Sequence, residues 1–171
     1  MSPWGKKGRN TPLVDADFVH FLGLRRLNMS YCRNVTGAAF EHLKGIQSLD
    51  MSGCNQLTIT DKAFVHLKGI HTLNMAWCLQ YFITDVAFVN LTGIQILSVV
   101  DCRQLTAAVL AHLKGVKRLN IGHCTKISLT EDTDDFLKGI EWLGMYFHSK
   151  AQVDMAKSLG YPVDQRGCTG V

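Results

Sequence analysis

Five cysteines recur along the chain at a nearly fixed interval. Cys32, Cys54, Cys78, Cys102 and Cys124 follow one another at steps of 22, 24, 24 and 22 residues. Thiolates bind zinc and attack electrophiles, so both chemistries have to be weighed. A zinc ribbon needs two cysteines a few residues apart, and this spacing matches no CxxC pattern. A nucleophilic cysteine needs an exposed thiolate beside a base. His123 adjoins Cys124, but neighbours along a strand point to opposite faces. Histidine makes a second column, His20, His42, His66 and His112, each two residues after a Phe or Leu. Helices that carry such a column lie roughly 10 Å apart, too far for ready convergence on one zinc at ~2.1 Å. These histidines therefore read as amphipathic residues flanking a core. Glu131, Asp132, Asp134 and Asp135 form an acidic run without EF-hand spacing or a turn glycine. The sequence shows no G-x-S-x-G, P-loop, dinucleotide fingerprint or HExxH. The expectation is a chain with no catalytic residues, no metal site and no cofactor.

The interval itself carries the information. Leu27, Leu49, Leu73, Leu97, Leu119 and Leu143 each precede the cysteine beat by five residues, with His148 standing in the sixth cysteine place. Residues two apart on a strand share a face, so Leu49 and Met51 point inward with Asp50 outward between them. The same alternation holds at Leu27/Met29, Leu73/Met75, Leu97/Val99, Leu119/Ile121 and Leu143/Met145. Strands this short are stable only when stacked on neighbours, and a period of this length predicts a solenoid with a parallel sheet.

The rest of each unit predicts a short helix, clearest in TDKAFVHLKG. Thr60 is a natural N-cap for the orphan N–H groups of the first turn. Asp61 suits the positive end of the helix dipole and Lys68 the negative end. Gly69 stands where the chain must leave the helix, with positive φ. Ala63, Phe64 and Leu67 share one stripe and fill the space under the sheet. Two turns are too short to persist in water without that packing.

The repeated LxxLxLxxC unit resembles the leucine-rich repeat family, in its cysteine-containing subtype found in the recognition arms of many F-box proteins. The resemblance covers about residues 13 to 148. It implies that Cys32, Cys54, Cys78, Cys102 and Cys124 turn inward and bond loop backbone as a ladder. The fold expected is an α/β leucine-rich-repeat solenoid of about six repeats, with short parallel strands on the concave face, short helices on the convex face and a C-terminal capping helix.

At 171 residues, 47% apolar and 19% charged, the composition is that of an ordinary folded chain with length for one domain. About 18 apolar residues never run together, so a membrane span is not expected. MSPWGKKGRNTP has basic residues with no apolar core behind them and does not read as a secretory signal. With five of six cysteines accounted for by the repeat, reduced thiols and a cytoplasmic setting are expected. The net charge of +4 is scattered, without a basic stripe interleaved with aromatics, so nucleic acid is not the expected partner.

In order, residues 1–12 read as a flexible tail, too short to hold an F-box, 13–148 as the repeat domain and 149–171 as a cap and tail. Asp17 replaces the usual helix alanine in repeat one, as an end unit facing water allows. In repeat six, Thr133 and Asp134 stand where Ala63 and Phe64 stand in the middle unit. A carboxylate in the buried Phe place is costly, so residues 130–135 are expected to form a loop or a shifted helix start. Ala151 to Leu159 predict a capping helix closed by Gly160, with residues 164–171, Cys168 included, as a loose tail.

What remains for function is surface. The concave rows present Arg26, Asn28 and Ser30; Ser48, Asp50 and Ser52; Thr72, Asn74 and Ala76; Ile96, Ser98 and Val100; Arg118, Asn120 and Gly122; and Trp142, Gly144 and Tyr146. Just past the strands come Tyr31, Trp77, Asp101, His123 and Phe147. Exposed aromatics and arginines dominate protein interfaces. The partner-binding candidates are Arg26, Asn28, Asp50, Asn74, Trp77, Arg118, Asn120, Trp142, Tyr146 and Phe147. The anchors gather in the C-terminal half, unless the cap covers Trp142 and makes it core. The expected function is a monomeric, non-enzymatic module that binds a protein on its concave face. A substrate-recognition component of an F-box-type ubiquitin ligase, with the adaptor on another chain, is the alternative, and an enzyme built on the repeat scaffold is the remaining one.

Overall fold

A computed structural model describes residues 13–146 and 148–164 of the chain. Six three-residue strands stack in sequence order: β1 Arg26–Asn28, β2 Ser48–Asp50, β3 Thr72–Asn74, β4 Ile96–Ser98, β5 Arg118–Asn120 and β6 Trp142–Gly144. Every pairing is parallel and in register, so Leu27, Leu49, Leu73, Leu97, Leu119 and Leu143 lie side by side. All six are buried, because a parallel sheet in register aligns one inward column along the whole stack.

Each of the strands β1 to β4 is followed, across a loop, by a tight helix. The segments Gly37–Leu43, Asp61–Leu67, Asp85–Leu91 and Ala107–His112 are 3₁₀ rather than α, as is Asp15–Phe21 in repeat one. Runs of this winding are usually shorter, and here packing holds them. Phe18, Phe40, Phe64, Phe88 and Leu110 are wholly buried beneath the sheet, and the Phe64 and Phe88 rings lie 6.1 Å apart. The Thr60 hydroxyl accepts the Lys62 N–H at 3.4 Å, and Gly69 leaves the helix at φ 80 as the sequence predicts.

Asp61 does more than face its own helix dipole. Its carboxylate accepts the N–H of Thr84 at 2.7 Å and the Thr84 hydroxyl at 2.8 Å, fixing the start of the next helix. Asp15 does the same for Thr36, and Asp85 for Thr106. Gly37 stands in the corresponding place of repeat two, where a Cβ would meet the Thr58 carbonyl at 2.7 Å.

Repeat six departs from its expectation. The helix is not shifted: Glu131–Thr133 begins directly after Thr130, as Asp61 does after Thr60, and runs on as α1, Asp134–Leu137. Two hydroxyls make this possible. Thr133, which is buried, donates to the Thr130 carbonyl at 2.7 Å and accepts the Thr130 N–H at 3.0 Å. Asp134 is partnered by the buried Tyr161, whose hydroxyl donates to Oδ1 at 2.8 Å.

That tyrosine belongs to the C-terminal cap. Helix α2, Lys150–Ser158, buries Val153 and Ala156, and the chain turns at Gly160 with φ 80. A seventh strand, β7 Val163–Asp164, then pairs with β6, placing Leu143 opposite Val163. The sequence reading missed this strand and assigned Asp164 to the tail; two residues are too few to show alternation. The expectations for residues 1–12, for residues 165–171 with Cys168, and for Phe147 lie outside the described residues. Among the described residues no helix is long and apolar enough to cross a membrane.

Candidate interaction surface

The cysteine column forms a ladder of inter-repeat bonds. Cys54 donates its thiol to the Met29 carbonyl at 3.2 Å, Cys78 to Met51 at 3.2 Å, Cys102 to Met75 at 3.1 Å and Cys124 to Val99 at 2.9 Å. His148 continues it, with Nε2 2.9 Å from the Ile121 carbonyl, as its place in the sixth cysteine column anticipates. Burial pushes Cys54, Cys78 and Cys124 up to about 12 and Cys102 well above its ordinary value. Such thiols stay protonated at neutral pH and are poor nucleophiles. Cys32 departs from its column: it is half-buried, because no earlier repeat among the described residues lies beyond it. Burial raises its thiol too. Among the described residues no three His, Cys, Asp or Glu side chains cluster to hold a metal ion.

A second column, not singled out from the sequence, lies two residues past the cysteines. Gln56 donates its amide to the Cys32 carbonyl, Gln80 to Cys54 at 3.0 Å and Gln104 to Cys78 at 3.0 Å. Its signal was present as Gln at one offset in three successive repeats.

The polar concave column has a structural task first. Asn28 Oδ1 accepts the Ser30 N–H at 2.9 Å, Asp50 that of Ser52 at 3.0 Å, Asn74 that of Ala76 at 3.1 Å and Asn120 that of Gly122 at 3.2 Å. These side-chain turns end β1, β2, β3 and β5 after three residues. Beyond them the chain enters the left-handed region, at Tyr31 (φ 56), Gly53 (φ 68), Trp77 (φ 58), Asp101 (φ 60) and His123 (φ 62). For a residue with a Cβ that conformation costs about 1–2 kcal/mol. Part of the return is a hydrogen bond to the next repeat: Tyr31 N–H to Ser52 O at 2.8 Å, Trp77 N–H to Val100 O at 2.7 Å.

The concave face is open at one end and covered at the other. Across β1–β3, Arg26, Asn28, Ser48, Asp50, Thr72 and Asn74 line an open groove of about 380 Å³. Arg26 and Asn28 are exposed, Asp50 and Asn74 half-buried, and Ser98 and Asn120 buried. Tyr146, expected as an exposed anchor, is only 5% exposed and forms a small second core with Ala76 and Val100. The reason is Gly122, whose missing side chain leaves the space the Tyr146 ring occupies. The His123 ring meets that of Tyr146 edge-on at 5.5 Å. Trp142 is half-buried, with the Arg118 guanidinium 5.5 Å from its ring centroid. Trp77 is exposed at the rim.

The fold is that of a leucine-rich-repeat solenoid. A chain from the complex of Rad7 and Elc1 in yeast superposes with a TM-score of 0.65 at 15% identity, over 90% of this chain and 44% of that one. A chain from the octameric complex of Latrophilin 3, Unc5D and FLRT2 (LRR) gives 0.54 at 18% identity, over 86% of this chain and 49% of that one. A chain from the TLR13–ssRNA13 complex gives 0.53 at 20% identity, over 72% and 18%. This chain thus spans less than half the length of each. No protein-family model and no curated protein matches the sequence significantly.

Proposed function

We propose that the protein is a non-enzymatic interaction module that captures a protein partner on the concave face of its solenoid, acting as a monomer. The observation that carries this reading is the open groove over β1–β3, where the Arg26 side chain has no hydrogen-bond or ion-pair partner among the described residues. Solenoids of this shape occur in assemblies with other proteins, Rad7 with Elc1 among them. One also occurs with single-stranded RNA. The groove here mixes Arg26 with Asp50 and lacks a basic track for a phosphate chain, which favours a protein. Binding centres on Arg26, Asn28, Asp50 and Asn74, with the Arg118–Trp142 pair as a second contact. Asn120 and Tyr146 hold the face in shape. Immobilised intact chain is compared with Arg26→Glu and Thr72→Arg variants for partners retained from a cell extract. Capture should fall at least about tenfold, as for the loss of hot-spot contacts, with the melting temperature unchanged. Equal capture by both variants refutes the concave site.

The cysteine ladder favours a second, narrower reading, the substrate-recognition component of an F-box-type ubiquitin ligase with its adaptor on another chain. Ligase subunits recovered with the captured partner would support it, and a captured partner free of them would exclude it.

A further inference from the structure

Exposed apolar side chains are distributed unevenly. Among the described residues, no Val, Leu, Ile, Met, Phe, Tyr or Trp beyond Val89 is exposed. Several of those before it lie on one loop edge, in the connections that run from strand to helix. The connections of repeats two and three are two residues longer than those of repeats one and four, at six residues from Cys54 to Thr60 and Cys78 to Thr84 against four from Cys32 to Thr36 and Cys102 to Thr106. In those longer connections stand Leu57, Leu79, Tyr81 and Phe82, with Tyr81 79% and Phe82 56% exposed. The two connections pack side by side, Leu79 N–H on Asn55 Oδ1 at 2.6 Å and Asp61 N–H on the Phe82 carbonyl at 3.0 Å.

This strip adjoins a cleft of about 380 Å³ lined by Tyr31, Arg33, Gly53, Asn55, Gln56 and Trp77. Gly53 lines it beside the Tyr31 ring, which occupies the space a Cβ at Gly53 would take, 2.5 Å away. The walls are Tyr31 and Trp77, both held in the left-handed conformation, a strain that clusters at functional sites. The glutamine column bonds each connection to its neighbour, so the edge is rigid and loses little entropy on docking.

Charge selects the occupant. Residues 31–36, 53–60 and 77–84 contain no carboxylate and one cation, Arg33, whose side chain has no hydrogen-bond or ion-pair partner among the described residues. Arg103 in the next connection is taken by Asp101. A second copy of a chain with net charge +4 would bring like charge to this edge. One arginine is far from the cluster of about 4–8 basic residues that holds an anionic membrane.

We infer that this edge docks an acidic, apolar-bearing peptide segment of a protein partner. An aromatic or leucine side chain enters between Tyr31 and Trp77, further apolar residues cover Tyr81 and Phe82, and a carboxylate pairs with Arg33. The inference rests on the protein-binding reading but not on the concave groove, since it uses a different surface.

The probe is a fluorescein-labelled peptide of sequence EDFEDLE, with three comparison peptides: Gln for each acid, Lys for each acid, and Ala for Phe and Leu. The acidic apolar peptide should bind saturably, at least about tenfold tighter than any comparison peptide, a ratio worth about 1.4 kcal/mol. The double variant Tyr81→Ser/Phe82→Ser should weaken it by at least that factor. Arg33→Ala should abolish the preference for acid over Gln. All these side chains are exposed, so melting temperature checks that the variants fold. Arg26→Glu should leave the peptide's affinity unchanged, which separates failure of this edge from failure of the concave site. The inference is overturned by absence of saturable binding, by equal affinity for acidic and Gln peptides, or by variants that bind as the parent does. It is also overturned if the double variant's effect is instead to abolish a dimer seen by sedimentation or binding to anionic vesicles.

Discussion

Replacing Tyr146 by alanine decides whether the C-terminal half of the concave face is a binding surface or a second core. The sequence suggests an exposed anchor, whose loss should leave stability intact. Its burial with Val100 and Ala76 requires the opposite. A buried tyrosine removes about 150–250 Å² from water, which at about 25 cal/mol per Å² is an upper figure near 4–6 kcal/mol. The cluster has only two small apolar partners and lies on the face of the sheet, so it can collapse partly into the gap, bringing the loss to about 2–4 kcal/mol. For a chain of this length each kcal/mol moves the melting temperature by about 2–4 °C. Tyr146→Ala should therefore melt roughly 4–16 °C below the parent by circular dichroism. Trp142→Ala, which removes a half-exposed ring and its Arg118 contact, should cost only about 1 kcal/mol. Equal melting temperatures for Tyr146→Ala and the parent, or a larger loss for Trp142→Ala than for Tyr146→Ala, would refute the second core.

The buried thiols make stability fall in alkali. Below the ordinary thiol value of 9.0 both states are protonated and the contribution is complete; above it the unfolded chain ionises while Cys54, Cys78 and Cys124 stay protonated to about 12. Each thiol then removes up to about 1.4 kcal/mol per pH unit, so the urea midpoint should drop sharply between pH 8.5 and pH 10.5, and a flat profile counts against the ladder. A thiol reagent at neutral pH should label Cys32 before Cys54, Cys78, Cys102 and Cys124, with rapid labelling of all five as the contrary result. Leu73→Ala should cost ~2–5 kcal/mol as a cavity inside the stack, and Leu27→Ala less, because among the described residues β1 has a neighbouring strand on one side only and can fray; equal losses would indicate a single closed core. Tyr161→Phe should cost about 1.5–3 kcal/mol, the value of a hydrogen bond to a charged group, and almost nothing in an Asp134→Asn background if that bond is the whole interaction.

The repeat was legible because its signal is periodic. An inward leucine, a ninth-position cysteine and a turn glycine recur often enough that each confirms the others, and Leu27 to Leu143 fall in one register as the spacing requires. Even His148 could be placed, since its column is fixed by Leu143 five residues earlier. Features that join one repeat to the next were harder. The Asp61–Thr84 contact spans 23 residues, and within its own repeat Asp61 looks like an ordinary first-turn acid. Asp134 looked misplaced for the same reason: its partner, Tyr161, lies 27 residues away in the cap and follows no repeat.

Surface was read less well than core because exposure on one face of a strand is not set by alternation alone. Alternation predicts that outward-pointing positions on the sheet are open, yet Val100 and Tyr146 point outward and bury each other. The deciding residue is one with no side chain. Ser30, Ser52, Ala76, Val100, Gly122 and Tyr146 form a single column, and in a parallel stack with repeats about 4.8 Å apart a large ring must lie across its neighbour. The ring needs a gap beside it, and Gly122 is that gap. Gly53 stands beside Tyr31 in the same relation at the rim, but there Trp77 one repeat further on is exposed and leaves the cleft open. A glycine next to an aromatic in adjacent repeats thus has two outcomes. The ring is buried where the outward residues on the far side of the glycine are apolar, as Val100 and Ala76 are, and bounds an open cleft where another rim aromatic stands on that side. By that rule the covered and open halves of this solenoid follow from which column each glycine interrupts.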